Sequence, residues 1–532
     1  MKKKFIYSSM LTIGLFLASG CTKNFDQLNT DPTAFSATNF DPNYLLTTAQ
    51  LNYTGSQDFS YDTWRADLIY CSTMIQGFAT VEGYWEGDKY MANPEYTAAY
   101  WQSDNGGDGA YAEQVKNIVD MVTTTTGVAS QNNLHQIGRI MKALIFERIT
   151  DLYGDVPYSQ AGEGYYGKIL FPVYDKQQAI YTNLISELQD ATSKLSLAGD
   201  IPTGDAIYHG NIAQWQRFGN SLLLRVAMRL SKVDPATAKT VVQTLIGKTL
   251  TDNTDDAFLK HDPTGGRPTV NRVSQVLQGG PENTVVKWSK TFIDLLQGTN
   301  DPRLAVISVN DAQIGVAGGD SNPADQKGQA NGYDENNNPQ YEISSSPGYV
   351  GAPGTTDLTQ FSCPSTYLTE MGSPTFILTY GETELLWADA AERFGINGPA
   401  ATHYNNGVEA AITYLSEYDP GATVSQAAAA AYVAANPYVT GETGLQMINT
   451  QYWELTNTMM DFYESWCNWR RTNYPTLTPV NYPGNATNGT IPRRFPYPLV
   501  EAANNPVNYT AAHNAVPGGD TLAGHVWWDV SQ

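Results

Sequence analysis

Apolar residues recur at steps of three and four along most of this chain, and that spacing narrows the fold more than any other feature. Tyr111, Val115, Ile118, Val119 and Val122 form one stripe, and Ile137, Ile140, Met141, Leu144 and Ile145 form a second. Others run through Ile180, Leu184, Leu188 and Leu195, and through Trp215, Phe218, Leu222 and Val226. Trp387, Ala390, Ala391 and Phe394 are followed closely by Val408, Ala411, Ile412 and Leu415, and a longer stripe joins Leu455, Met459, Phe462, Trp466 and Trp469. Residues three and four apart share one face of an α-helix, and a helix with one apolar face must bury it on a neighbour. Neighbouring stripes therefore predict helix–loop–helix pairs stacked as an α-solenoid of the tetratricopeptide kind. The period is irregular and no repeat signature is legible.

Between about residues 251 and 373 the texture changes. Gly318-Gly319-Asp320, Gly332 to Pro339 and Ser344 to Gly348 are runs of turn formers without a sustained period. They predict a largely loop insertion. A second loop-rich segment, about 473–532, closes the chain. Residues 41–532 thus read as one body, and long ordered loops on a helical scaffold are where recognition usually sits.

The start of the chain has its own chemistry. Lys2-Lys3-Lys4 precedes an apolar run from Phe5 to Ala18 that is too short to span a bilayer,. It reads as a secretory signal over residues 1–20. The run ends Leu17-Ala18-Ser19-Gly20-Cys21, where small residues suit a signal peptidase and Cys21 can take a diacylglycerol thioether. This resembles the bacterial lipobox, with Leu17 one position further from the cysteine than usual. Residues 21–40 then read as a lipidated tether, and several acyl chains on one cysteine hold a protein stably on a membrane. Cys71, Cys363 and Cys467 are odd in number and lack a CxxC, which predicts buried free thiols and no disulfide framework.

Lys+Arg 31 against Asp+Glu 53 gives a net charge of −22, so a phosphate backbone is repelled and nucleic-acid binding is excluded,. With aromatics at 11% and charged residues at 16%, the chain also lacks the composition of a disordered one,. Gly162-Glu163-Gly164-Tyr165-Tyr166-Gly167 spells GxGxxG, but a predicted helix precedes it where a strand is required,. No GxSxG, HExxH or P-loop occurs, and the six histidines have no metal-ligand spacing,. The expectation is a protein that binds and does not catalyse; a glycoside hydrolase, which needs two placed carboxylates, is the alternative.

The aromatics carry the binding expectation. Gly83 to Trp101 holds Tyr84, Trp85, Tyr90, Tyr96, Tyr100 and Trp101 among Gly, Asn, Asp and Glu. Flat rings stack on the C–H faces of sugars while amides and carboxylates bond the hydroxyls. Tyr84, Trp85, Tyr90 and Tyr96 are the candidate glycan-stacking residues, with Tyr333, Tyr341 and Tyr349 of the insertion as an opposite lip. Tyr100 and Trp101 are expected to pack on the helix near Tyr111. No cofactor is expected. The weak calcium candidates are Asp104 with Asp108, which lack the bidentate Glu of an EF-hand loop, and Asp334 with Asn336, where Pro339 replaces the turn glycine.

Several motifs resemble the SusD/RagB family of lipid-anchored nutrient-binding proteins of the Bacteroidetes outer membrane. They are Cys21 to Asp26 with Asn29-Thr30-Asp31-Pro32, Asp151-Leu152-Tyr153-Gly154-Asp155-Val156-Pro157-Tyr158, Asp301-Pro302-Arg303, and the helix Glu382 to Ala391. Trp466 to Thr472, Ile491 to Pro498 and the closing Trp527-Trp528-Asp529 complete the set, in the family's order over nearly the whole chain. The resemblance implies a mostly α fold, a superhelix of about four tetratricopeptide-like helix pairs beside an irregular, loop-rich half. It also implies capture of oligosaccharide, or in some members oligopeptide, and delivery to a SusC-like TonB-dependent transporter on which the lipoprotein sits as a lid. The shared motifs read as scaffold, with Asp155 and Pro157 shaping a turn and Arg470 and Arg471 pairing with carboxylates.

Overall fold

The apolar stripes fold as helices in a computed structural model whose described residues are 40–56, 61–102, 108–335 and 338–530. Helix α1 (Asn43–Tyr53) is followed by a π-helix at Asp62–Ser72, then α2 (Lys116–Thr125) and α3 (Asn132–Tyr153). Next come α4 (Gln177–Lys194), α5 (Ile212–Arg229), α6 (Pro235–Gln243) and α7 (Lys290–Thr299). The later set is α8 (Tyr380–Phe394), α9 (Ala400–Thr413), α10 (Gln426–Ala435), α11 (Glu442–Met459), α12 (Phe462–Thr472) and α13 (Pro506–Asn514). Sequence neighbours pack as pairs: α2 on α3, α4 on α5, α8 on α9, and α11 on α12, with α3–α4 and α8–α11 joining one pair to the next. Residues Asn43–Gln532 form one compact unit. Among the described residues no helix is long and apolar enough to cross a membrane.

The stripe from Leu455 to Trp469 is two helices. Met460 takes a left-handed conformation (φ 57°) that ends α11, and the Asp461 side chain accepts from the Glu464 N–H at 3.3 Å to cap α12. The 251–373 insertion is more structured than its composition predicts. Strand Val286–Trp288 pairs with Phe78–Thr80, Ala257–Leu259 with Thr375–Leu378, and Ser308–Val309 with Cys363–Pro364. The first two antiparallel pairs stitch the insertion to the rest of the protein, and the third closes it on itself,.

Charged side chains tie the helix pairs together from inside. Arg225 donates to Glu147 at 2.6 and 3.1 Å, and Arg229 donates to Asp151 at 3.0 Å and to Glu464. Asp151 also accepts from Trp528 Nε1 at 2.8 Å, so the Asp151 and Trp528 motifs meet in the core. Arg303 grips Asp301 and Glu454, with all three side chains at or below 1% exposure. Arg471 pairs with Asp389 at 2.9 Å as expected. Arg470 does not take a carboxylate: its guanidinium stacks over Trp466 (3.9 Å) and Trp528 (4.9 Å) and donates to the Arg493 carbonyl. Asp155 caps α4 by accepting from the Gln177 N–H at 2.8 Å. A guanidinium buried this way needs a carboxylate, carbonyl or ring face against it to offset its lost hydration, which makes these motif residues scaffold. Cys71, Cys363 and Cys467 are buried free thiols, and burial pushes the Cys467 thiol up to about 12.

Candidate functional site

A strip of partly exposed aromatic rings gathers where the π-helix meets the segment after strand Phe78–Thr80. The π-helix buries Leu68, Ile69 and Cys71 completely, and Trp64 and Arg65 in its first turn stay partly accessible. Such i→i+5 segments are rare and concentrate at functional sites. Tyr61 lies stacked beside Trp64 (centroids 6.3 Å apart, planes 15° off parallel), and Tyr84 meets Trp64 edge-on at 5.9 Å. The Arg65 guanidinium sits 4.1 Å from the Tyr61 ring and 5.0 Å from the Tyr96 ring, and pairs with Glu95 at 2.7 Å. Tyr96 itself is placed by a short helix, Pro94–Ala98, whose Asn93 cap accepts from the Tyr96 N–H.

One buried carboxylate fixes the strip. Glu282, 3% exposed, accepts from Trp64 Nε1 at 2.9 Å, from the Tyr84 hydroxyl, and from Trp85 Nε1 at 3.4 Å, all on the same oxygen. Hydrogen bonds to a charged acceptor are the strong ones, so Glu282 locks two rings with faces still open to solvent. Partial burial, then this bond to Glu282, raises the Tyr84 hydroxyl well above the ordinary phenol range.

Of the sequence-predicted residues, Tyr84 and Tyr96 stand in this strip, half-buried. Trp85 and Tyr90 do not present a face: each is 0% exposed. Trp85 turns inward under Tyr84 because its indole N–H is drawn to the buried Glu282. Tyr90, left-handed at φ 55°, closes the turn Glu86–Lys89; its hydroxyl accepts from the Val480 N–H and its carbonyl from the Ala486 N–H, anchoring the C-terminal segment. Tyr100 and Trp101 are core, with Trp101 4.8 Å from Tyr111 as predicted.

Tyr333 and Tyr349 pack on a small satellite core of Val81, Ile343 and Phe361. Tyr341 lies 5.1 Å from Tyr482, whose hydroxyl donates to Asp334. The Lys89 ammonium forms an ion pair with the other Asp334 oxygen at 3.1 Å. Val81 and Lys89 thus tie these tyrosines to the segment that carries Tyr84. The Asp334 carboxylate is already engaged on both oxygens. Asp108 is buried, while Asp104 and Asn336 lie outside the described residues, as does Cys21. Among the described residues no three His, Cys, Asp or Glu gather as metal ligands do.

Sequence reasoning missed Tyr61, Trp64, Arg65 and Glu282. The spacing Tyr61-x-x-Trp64-Arg65 was the available signal, an aromatic pair with a cation on one helix face. Behind the same π-helix lies a small cavity of about 40 Å³ lined by residues that include Asp62, Asp67, Tyr100, Arg148 and Tyr463. That volume suits a water or two and excludes a sugar. Burial raises Asp62 to about 6 and lifts Asp67 as well, so these acids belong to the interior and not to the strip.

The sequence model of the SusD-like family, described as starch-binding and associating with the outer membrane, matches residues 34–498. Among solved structures, a chitin-binding protein is 31% identical and superposes with a TM-score of 0.78, the match covering 92% of this chain and 100% of that one. A SusD-like protein from Bacteroidetes is 26% identical, with a TM-score of 0.77 over 92% of this chain and 100% of its own. A chitin-binding SusD homologue from Flavobacterium johnsoniae, 21% identical with a TM-score of 0.71, covers 92% and 99% and speaks for the fold. No curated protein sequence matches. A mostly helical superhelix of paired helices with a motif-built core, matched along nearly its full length, places this chain in the SusD-like family.

Proposed function

We propose that this protein is a non-catalytic glycan-binding lipoprotein of the outer membrane, anchored through Cys21, that captures neutral oligosaccharides and passes them to a SusC-like TonB-dependent transporter. The observation that carries the reading is the strip of Tyr61, Trp64 and Tyr84 held by Glu282. It offers ring faces at more than one angle with Arg65 alongside as a hydroxyl-binding donor, the mixture a pyranose chain requires,. The chitin-binding relative favours a β-linked amino-sugar chain as the first ligand to test. The net charge of −22 favours neutral over polyanionic glycans,. The carboxylates bonded to the strip, Glu282 and Glu95, are engaged by Trp64, Tyr84 and Arg65, which supports binding without hydrolysis.

Titration calorimetry tests this with chitin oligosaccharides, malto-oligosaccharides and mixed peptides against the mature chain. Saturable heat from a glycan, at about −4 to −8 kcal/mol, is expected, because a carrier must release what it captures. Heat from peptides alone replaces the reading with oligopeptide capture, and appearance of shortened oligosaccharides during the titration replaces it with hydrolysis.

A further inference from the structure

The end of the helical half that receives the chain from Cys21 is built from two loops that have almost no charge. Residues 126–131 (Thr-Gly-Val-Ala-Ser-Gln) have none, and residues 195–204 have only Asp200. The Asp200 carboxylate is spent inside, accepting from the Asn133 and Leu134 N–H groups at 2.7 and 3.0 Å at the start of α3. Asn133 binds the loops together, donating to the Ser196 and Asp200 carbonyls and accepting from the Ser196 N–H. The second loop also holds the start of α1: Gly204 N–H donates to Asn43 Oδ1 at 3.0 Å, and Thr47 donates to the Gly204 carbonyl. On this face Leu197 is 74% exposed, Ile201 69%, Tyr44 59% and Val128 38%. At the border, Lys194 and Asp190 neutralise each other at 2.8 Å.

We propose that this end is a membrane-contact face, with Leu197 and Ile201, flanked by Tyr44 and Val128, seated in the interfacial layer of the lipid surface that holds the protein. The inference rests on the lipid-anchor reading. Asn43, at this face, follows Cys21 by 22 residues, which limits their separation to roughly 75 Å,. A chain of net charge −22 is repelled from an anionic surface,. The two loops add only Asp200, which is engaged by backbone N–H groups at the start of α3, so apart from Asp41 beside α1 this face brings little negative charge to it. A multiply acylated cysteine holds the protein on its own, and isolated apolar residues on a rigid loop add a weak contact that sets how the body sits on the surface. Tyrosine suits the same interface, with its ring in the apolar layer and its hydroxyl in water.

The test uses the mature chain with Cys21→Ser behind a histidine tag, held on phosphatidylcholine vesicles that contain a nickel-chelating lipid. Tethering is then independent of acylation. Cys71, Cys363 and Cys467 are buried, so a nitrobenzoxadiazole label goes to one introduced cysteine: Leu197→Cys, Ile201→Cys, or the equally exposed Val350→Cys of the loop-rich half. The expected result is a blue shift and brightening on vesicles at 197 and 201, and none at 350. An unshifted label at 197 and 201 on vesicle-bound protein overturns the proposal. So does a shift that appears without vesicles as protein concentration rises, which assigns the face to a second copy of the chain. Mass spectrometry of Cys21 in the full-length protein from membranes reports the anchor separately. A shifted label beside an unacylated Cys21 keeps the contact face and removes the anchor.

Discussion

In the core, guanidinium groups are carried into the interior and matched there: Arg225, Arg229 and Arg303 are each at most 3% exposed, with a carboxylate on each. On the recognition strip the chemistry is reversed. Arg65 stays near the surface between two tyrosine rings, and the buried Glu282 holds Trp64 and Tyr84 by their N–H and O–H groups so that their rings stay partly exposed. The same residue types perform different work because their surroundings differ. Charge buried among helices fixes how those helices pack, whereas charge placed beneath a partly exposed ring fixes where that ring can meet a ligand. The contrast predicts that substitutions in the first region cost stability and leave the strip's geometry alone, while those in the second cost binding.

The largest break comes at Arg229. Arg229→Ala leaves Asp151 and Glu464 without their cation in the core and is expected to lower unfolding free energy by about 3–5 kcal/mol, read from urea denaturation. A loss below 1 kcal/mol would remove the distinction between the two regions.

A second prediction uses Glu382, fully buried at the start of α8. Burial is the main cause that lifts its carboxyl from 4.5 to about 8. The folded protein therefore keeps a proton that the unfolded chain has lost. That stability is full below about 4.5 and falls as pH rises toward 8, by about 1.4 kcal/mol per pH unit. Glu382→Gln should flatten this part of the stability–pH curve, measured as the difference from wild type. A difference curve that is level between pH 5 and 8 contradicts it.

The smallest effect is expected at Arg65. Its ion pair with the partly exposed Glu95 contributes under about 1 kcal/mol to stability,. Arg65→Ala should therefore melt close to wild type while weakening glycan binding. A large stability loss would place Arg65 with the core arginines.

Local periodicity explains which parts of this were legible. Stripes such as Ile137 to Ile145 are written within one helix, and α3 forms over them. The break between α11 and α12 was also written locally, in the Asp461-x-x-Glu464 cap, but the apolar spacing runs across it and hides it. The ring left partly exposed is Trp64 rather than the expected Trp85 for a non-local reason. Trp85 sits among Gly, Glu and Asp and reads as surface, yet its fate depends on Glu282, which arrives 197 residues later. Trp64 stands in a polar stretch with one aromatic neighbour, and the π-helix shifts its register away from the 3.6 period. Nothing within either segment encodes the partner that decides which ring faces water. The family motifs were legible for the opposite reason: Asp151, Arg303, Arg471 and Trp528 serve the interior, where each holds a named charged or indole partner.

The most direct measurement is a paired titration of a chitin oligosaccharide against Trp64→Ala and Trp85→Ala, each with its thermal melt. The account predicts that Trp64→Ala folds and loses about 2 kcal/mol of binding, roughly thirty-fold in affinity. It predicts that Trp85→Ala loses about 3–5 kcal/mol of stability as a truncated core indole. Wild-type affinity in a folded Trp64→Ala protein would contradict it.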